Sequence, residues 1–187
     1  MNDPVKIVGG NGKRKPNDFY PTPPECTIAL VNFLRRECLL ADKDTVWEPA
    51  CGNGEMVKAL RSCGLCVTAS DINSGFDFLD REIEFDGRWI ITNPPFSIAD
   101  KFINRCVELK RPFALLLKSQ YWHSKKRLPL FLKAPPRYVL PLTWRPDFTG
   151  QKSSLLDMIW VVWCGDHHFT QYIPLQKPKI QNMEDNA

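Results

Sequence analysis

A chain of 187 residues with 43% hydrophobic and 25% charged side chains has the composition of one globular domain with a single sizeable core. No apolar run approaches the roughly 20 residues of a membrane span, and Met1-Asn2-Asp3-Pro4 begins no signal-peptide pattern, so membrane-embedded and exported classes are set aside and a cytoplasmic setting is expected. Net charge is only +4 but uneven: from Lys101 to Arg145 eleven basic residues stand against one acid, Glu108, leaving that stretch at +10 and the remainder at −6, as a face that meets a polyanion would be.

Residues 1–17, with Gly9, Gly10 and Gly12 before Lys13-Arg14-Lys15-Pro16, carry no periodicity and read as a flexible basic arm. Asp18-Phe19-Tyr20-Pro21-Thr22-Pro23-Pro24 is stiff and extended, because each residue before a proline is pushed out of the helical region. A helix is predicted from Pro24 or Glu25 to about Arg36, with Thr22 as N-cap and Glu25 completing a capping box. Thr45-Val46-Trp47 starts a strand that runs into Glu48-Pro49-Ala50-Cys51-Gly52-Asn53-Gly54. A helix over about Glu55 to Cys63 and a second strand, Cys66 to Ser70 ending at Asp71, complete the βαβ layout of a nucleotide-type cofactor site. The glycines allow close backbone approach, and the acid can take two ribose hydroxyls. Seven cysteines scattered through apolar segments suggest reduced thiols. Cys63-Gly64-Leu65-Cys66, with no second pair and no nearby histidine, reads as a turn leading into the second strand.

Phe76-Asp77-Phe78-Leu79 sets one acid between aromatics. The strand Arg88–Thr92 then leads to Asn93-Pro94-Pro95-Phe96, where a side-chain amide, a backbone frozen by two prolines and a flat aromatic offer acceptors to a planar group bearing NH2. A helix from about Ile98 to Leu109 and a strand over Phe113–Leu117, ending at Lys118, follow. This alternation predicts a mainly parallel sheet covered on both faces, with ligands at the carboxyl ends of its strands. Glu48, Asp71, Asp77, Asn93 and Lys118 would share that edge. Ser119 to Pro136 is basic and aromatic, with a helix over Lys125–Lys133. Two more strands, Tyr138–Leu140 and Met158–Trp163, flank a polar loop, and the extended piece Tyr172–Leu175 precedes a tail over 176–187. The expected layout is one domain over 18–175, with 119–156 contacting substrate. His123, His167 and His168 lack metal-ligand spacing and read as surface residues, so no metal is expected.

With these segments placed, the chain resembles S-adenosylmethionine-dependent amino-methyltransferases, most closely the small N6-adenine DNA methyltransferases of phages and prophages. Asp18–Pro24 is similar to their N-terminal cofactor motif, Glu48–Gly54 to their glycine loop, Asp71 to the ribose-binding acid, Asp77 to the adenine-contacting acid and Asn93-Pro94-Pro95-Phe96 to the catalytic motif, in the gamma order. The resemblance implies a Rossmann-like class I methyltransferase α/β fold: a mainly parallel seven-stranded sheet, helices on both faces, and an antiparallel strand near the C-terminus. Larger members carry a separate target-recognition domain, for which this length leaves no room.

The same resemblance implies S-adenosyl-L-methionine as cofactor, with S-adenosyl-L-homocysteine as product. It would be held by Tyr20, Thr22 and Pro23, by Glu48, Pro49, Ala50, Cys51, Gly52 and Gly54, by Asp71 and Ile72, by Asp77 and Phe78, and by Asn93. Glu48 would meet the methionine amino group, Asp71 the ribose and Asp77 the adenine amino group. The structural alternatives are a helix N-cap for Asp71 and a loop acid for Asp77. Asn93, Pro94, Pro95 and Phe96 would be catalytic, acting on a base flipped out of DNA. Lys118, Lys125, Lys126, Arg127 and Arg145 would hold phosphates, and Tyr121 and Trp122 would lie near the extruded base, with core packing as their equal alternative. Monomer and homodimer both fit, in the cytoplasm of a bacterial host. Adenine in RNA, cytosine N4 and protein glutamine stay open as acceptors, as does an inactive nucleic-acid-binding module. The basic block counts against glutamine; intact Glu48, Asp71 and Asn93 count against inactivity.

Overall fold

A computed structural model describes residues 21–83, 87–148, 150 and 156–179. The expected arm, Tyr20, loop positions 149 and 151–155 and tail positions 180–187 lie outside the described residues. Helix α1, Pro24–Arg36, begins on a proline whose missing N–H would have had no helical partner. It buries Cys26, Leu30, Phe33 and Leu34, the 3–4 spacing of one face, and ends with Arg35 and Arg36 beside its carbonyls. The capping box does not form: the N-cap is Pro23, without a side-chain cap bond. Thr22 is instead drawn to Asn93, 71 positions away, whose Nδ2 donates to its Oγ1 at 3.0 Å, and Glu25 faces Lys177 at 3.5 Å.

Strands β1 (Thr45–Glu48), β2 (Cys66–Ala69), β3 (Trp89–Thr92), β4 (Phe113–Lys118), β5 (Tyr138–Pro141), β6 (Met158–Trp163) and β7 (Gln171–Tyr172) form one sheet in the order β2-β1-β3-β4-β6-β5-β7. β1 pairs in parallel with β2 and β3, β3 with β4, and β5 with β7. Only β6 runs against its neighbours, pairing antiparallel with β4 and β5. The last predicted strand begins one residue earlier than expected, and Leu175 adds an isolated bridge to Leu142.

The central strands are buried on both faces, and alternate residues divide between two cores. Ala114, Leu116, Trp160 and Val162 join the layer beneath α1 and α2 (Glu55–Ser62). Leu115, Leu117, Ile159 and Val161 join the layer beneath α3 (Ala99–Leu109). The Trp160 indole donates to the Cys26 carbonyl at 2.9 Å, tying β6 to α1. The helix predicted over Lys125–Lys133 divides into a 3-10 turn, Lys125–Arg127, and α4, Leu128–Lys133. Pro129 has no N–H to donate to the Lys125 carbonyl, so a continuous α-helix cannot pass through. Cys63 caps α2 and Cys66 opens β2, the turn expected of the Cys-X-X-Cys stretch. No helix among the described residues is long and apolar enough to cross a membrane.

Candidate active site

β1 lies between β2 and β3: the chain passes from β1 out to β2 and returns across β1 to β3, and the carboxyl ends of these strands border a crevice. A cavity of about 180 Å³ sits there. The turn after β1 brings Glu48, Pro49, Ala50, Cys51 and Gly52 to it, the segment after β2 brings Asp71, Ile72, Asp77 and Phe78, and the segment after β3 brings Asn93 and Pro95, with Thr22 joining from ahead of α1. Pro23 and Gly54, expected at the cofactor, are not in its wall. Gly54 instead takes φ +83° as the N-cap of α2, a left-handed turn suited to glycine.

Glu48 is 1% exposed. Its Oε1 accepts from the Ala50 amide at 3.2 Å and from the Thr92 hydroxyl, whereas its buried Oε2 accepts nothing from the described residues. Burial pushes the carboxyl up to about 8, against the pull of the Thr92 and Ala50 hydrogen bonds. A buried carboxylate oxygen in a cavity wall suits a cationic donor. Asp71 takes the helix N-cap position its alternative described: Oδ1 accepts from the Asn73 amide at 2.9 Å and caps the 3-10 helix Ile72–Ser74. Its Oδ2 also accepts from Gly52 N at 2.9 Å, joining the ends of β1 and β2. Oδ1 accepts a second bond from Asn73 Nδ2 at 2.8 Å, so Oδ2 is the oxygen with a further lone pair to offer. Asp77 likewise bonds within its loop, to Leu79 N at 2.9 Å. Burial, together with Glu48 and Asp71, raises the Cys51 thiol, leaving it a poor nucleophile.

Sequence reasoning missed Phe76. With Ile72 it stands more than half exposed on the cavity wall, an apolar pair that a flat ring could lie against. Its position beside Asp77 was the available signal. Phe78 packs inward, 5.1 Å from Trp47 and 4.8 Å from Phe102 between ring centroids.

Asn93–Phe96 forms a partition. Asn93 and Pro95 face the first cavity, while Phe96 faces a second, of about 130 Å³, with Lys118, Gln120, Tyr121 and Arg127. Pro94 is buried between them. The 3-10 turn Phe96–Ile98, opening after Pro95, directs the phenyl ring away from the acids. Lys118 ends β4 and so shares the carboxyl edge with the acids, but it opens onto the second cavity and not the first. Its Nζ lies 4.3 Å from the centre of the Phe96 ring, and the Arg127 guanidinium lies 4.0 Å from the centre of the Tyr121 ring. Acids line one side and cations the other.

The remaining residues expected at the substrate divide. Lys125 and Lys126 are exposed, and Arg145 pairs with Asp157 at 2.9 Å in solvent. Tyr121 is buried in the core beneath α3 as well as lining the second cavity. Trp122 packs on Phe131 at 4.4 Å between ring centroids and lines neither cavity. Two members of the basic block are internal braces: Arg105, 9% exposed, donates to the carbonyls of Asp80 and Ile83, and Arg111 to that of Gly87.

No family model and no curated protein matches the chain. Solved structures do. A type I restriction-modification system methyltransferase subunit from Streptococcus thermophilus is similar with a TM-score of 0.57 at 13% identity, over 83% of this chain and 47% of that one. A Listeria monocytogenes protein assigned as a class I S-adenosylmethionine-dependent methyltransferase gives 0.60 at 11%, over 88% and 68%. A Pyrococcus horikoshii protein assigned as an RNA methyltransferase gives 0.53 at 13%, over 83% and 91%. The chain spans about half the length of the Streptococcus subunit. These likenesses define the fold as the Rossmann-like class I methyltransferase fold.

Proposed function

We propose that this chain transfers a methyl group from S-adenosyl-L-methionine to the exocyclic N6 amino group of adenine in DNA. The observation that carries the reading is the partition: Asn93-Pro94-Pro95-Phe96 separates an acid-lined cavity from a cation-lined one. A donor bearing an ammonium and a ribose suits the first, and an electron-rich ring on a polyanion suits the second.

The residues of the first cavity fit the cofactor. The buried Glu48 Oε2 would accept from its α-ammonium, Asp71 from its ribose hydroxyls and Asp77 from its adenine amino group, with Ile72 and Phe76 covering the ring. When bound, the cofactor supplies a methyl made electrophilic by a sulfonium. Across the partition, adenine N6 is a poor nucleophile because its lone pair is delocalised into the ring. Asn93 Oδ1 and the Pro94 carbonyl would each accept one N6 hydrogen, favouring a pyramidal nitrogen and strengthening as positive charge develops. The bond from Asn93 Nδ2 to Thr22 fixes which end of the amide accepts. Phe96 would hold the base by stacking, in the place Lys118 takes over its ring. The partition aligns donor and acceptor for in-line displacement, and no general base is required before the methyl moves.

Labelled cofactor, incubated with DNA, RNA or protein and followed by nucleoside mass spectrometry, tests the reading. N6-methyldeoxyadenosine supports it; label confined to protein, to RNA or to cytosine overturns it in favour of that acceptor.

A further inference from the structure

Helix α4 turns Leu130 and Phe131 toward the core beneath α3 and leaves Leu128 and Leu132 54% and 75% exposed. Four positions apart, the two leucines share one helical face. Single exposed leucines are ordinary; the surroundings of this pair are not. Lys125, Lys126 and Lys133 stand exposed around it, and no acid occurs from position 109 to 146. Arg127, adjacent to Leu128, donates to the Tyr121 carbonyl at 3.0 Å and lines the second cavity, so the apolar face adjoins the pocket assigned to the acceptor base.

We propose that Leu128 and Leu132 form an apolar wedge that enters the base stack of duplex DNA at the position vacated by the flipped nucleotide. The inference rests on the methyl-transfer reading above. Extruding a base leaves an unstacked step, and aliphatic side chains placed between base steps occupy such gaps while cations hold the flanking phosphates. A second copy of this chain fits the face poorly, because a two-fold contact would set Lys125, Lys126 and Lys133 against their own counterparts. Two leucines on one short helix also bury less apolar surface than membrane-surface helices do.

Methyl incorporation into a mixed-sequence DNA duplex, and into the same DNA heat-denatured, is compared between wild type and a Leu128→Ser/Leu132→Ser double variant. The duplex rate falls about tenfold while the single-strand rate stays within about twofold, since only the duplex presents a stack to enter. Leu128→Met/Leu132→Met restores most of the duplex rate. An equal fall on both substrates, no fall on either, or substitution that converts a dimer to a monomer by sedimentation overturns the wedge. A wild type that transfers no methyl to either DNA fails the methyl-transfer reading itself, and the wedge with it.

Discussion

Glu48 couples the first cavity to pH. Its carboxyl is raised to about 8 from an ordinary 4.5, so between these values the folded chain binds a proton that the unfolded chain has released. Stability from this group is complete below about 4.5 and lost as pH rises through about 8. Thermal melts of the ligand-free protein should therefore fall in midpoint across that window, and Glu48→Gln should flatten the fall. Bound cation reverses the preference, because an ammonium favours the carboxylate. Cofactor affinity should strengthen toward pH 8 with proton release, read by calorimetry in buffers of different ionisation enthalpy. Asn93→Ala should abolish transfer while leaving cofactor affinity within about threefold, since its acceptors act as charge develops. Thr22→Val removes the hydroxyl that accepts from Asn93 Nδ2. It should cost about 1 kcal/mol of stability and lower kcat more than it raises KM for DNA, measured by denaturant melts and steady-state kinetics.

At the scale of elements, much was legible because sheet and loop obey local rules. The apolar runs 113–117 and 158–163 read as strands, and β4 and β6 divide their alternate residues between the two cores. The glycine loop was legible for the same reason. Gly54 sits at φ +83° with nothing within 4 Å of where a Cβ would stand, so backbone strain alone makes it glycine. Gly54→Ala should destabilise by about 1–2 kcal/mol in urea unfolding, and Gly54→Asn by less. What the sequence hid was settled at long range. The Thr22 hydroxyl had a local use as a helix cap and a distant one at Asn93, and no pattern ranks the two. That Lys118, at the same sheet edge, opens onto a different cavity from the acids was equally hidden, because it depends on the direction Phe96 takes from a three-residue turn.

For the molecule as a whole, charge along the chain overstated the charge available to a partner. Eleven basic residues lie between Lys101 and Arg145, but Arg105 and Arg111 hold carbonyls of the 80–87 segment. Their sign was readable and their burial was not. Substituting the two kinds should separate them. Lys125→Glu/Lys126→Glu should raise KM for DNA, with little change in kcat, and reduce the slope of log affinity against log salt by about 0.9 for each phosphate no longer neutralised. Arg105→Ala should leave that slope unchanged and cost about 1–3 kcal/mol in chemical denaturation, as the Asp80 and Ile83 carbonyls lose their donor.

The lysine resting on Phe96 also bears on which adenines react. A cation–π contact between half-buried partners such as these is worth about 0.5–2 kcal/mol and base–aromatic stacking about 1–3 kcal/mol, so a base can displace the ammonium at little net gain. On the methyl-transfer reading, the displaced ammonium would lie where a phosphate can meet it. A polynucleotide offers one at every step along its strand, whereas free adenine and adenosine offer none. In the proposed reaction Lys118 would thereby favour a polynucleotide over a free nucleoside as methyl acceptor.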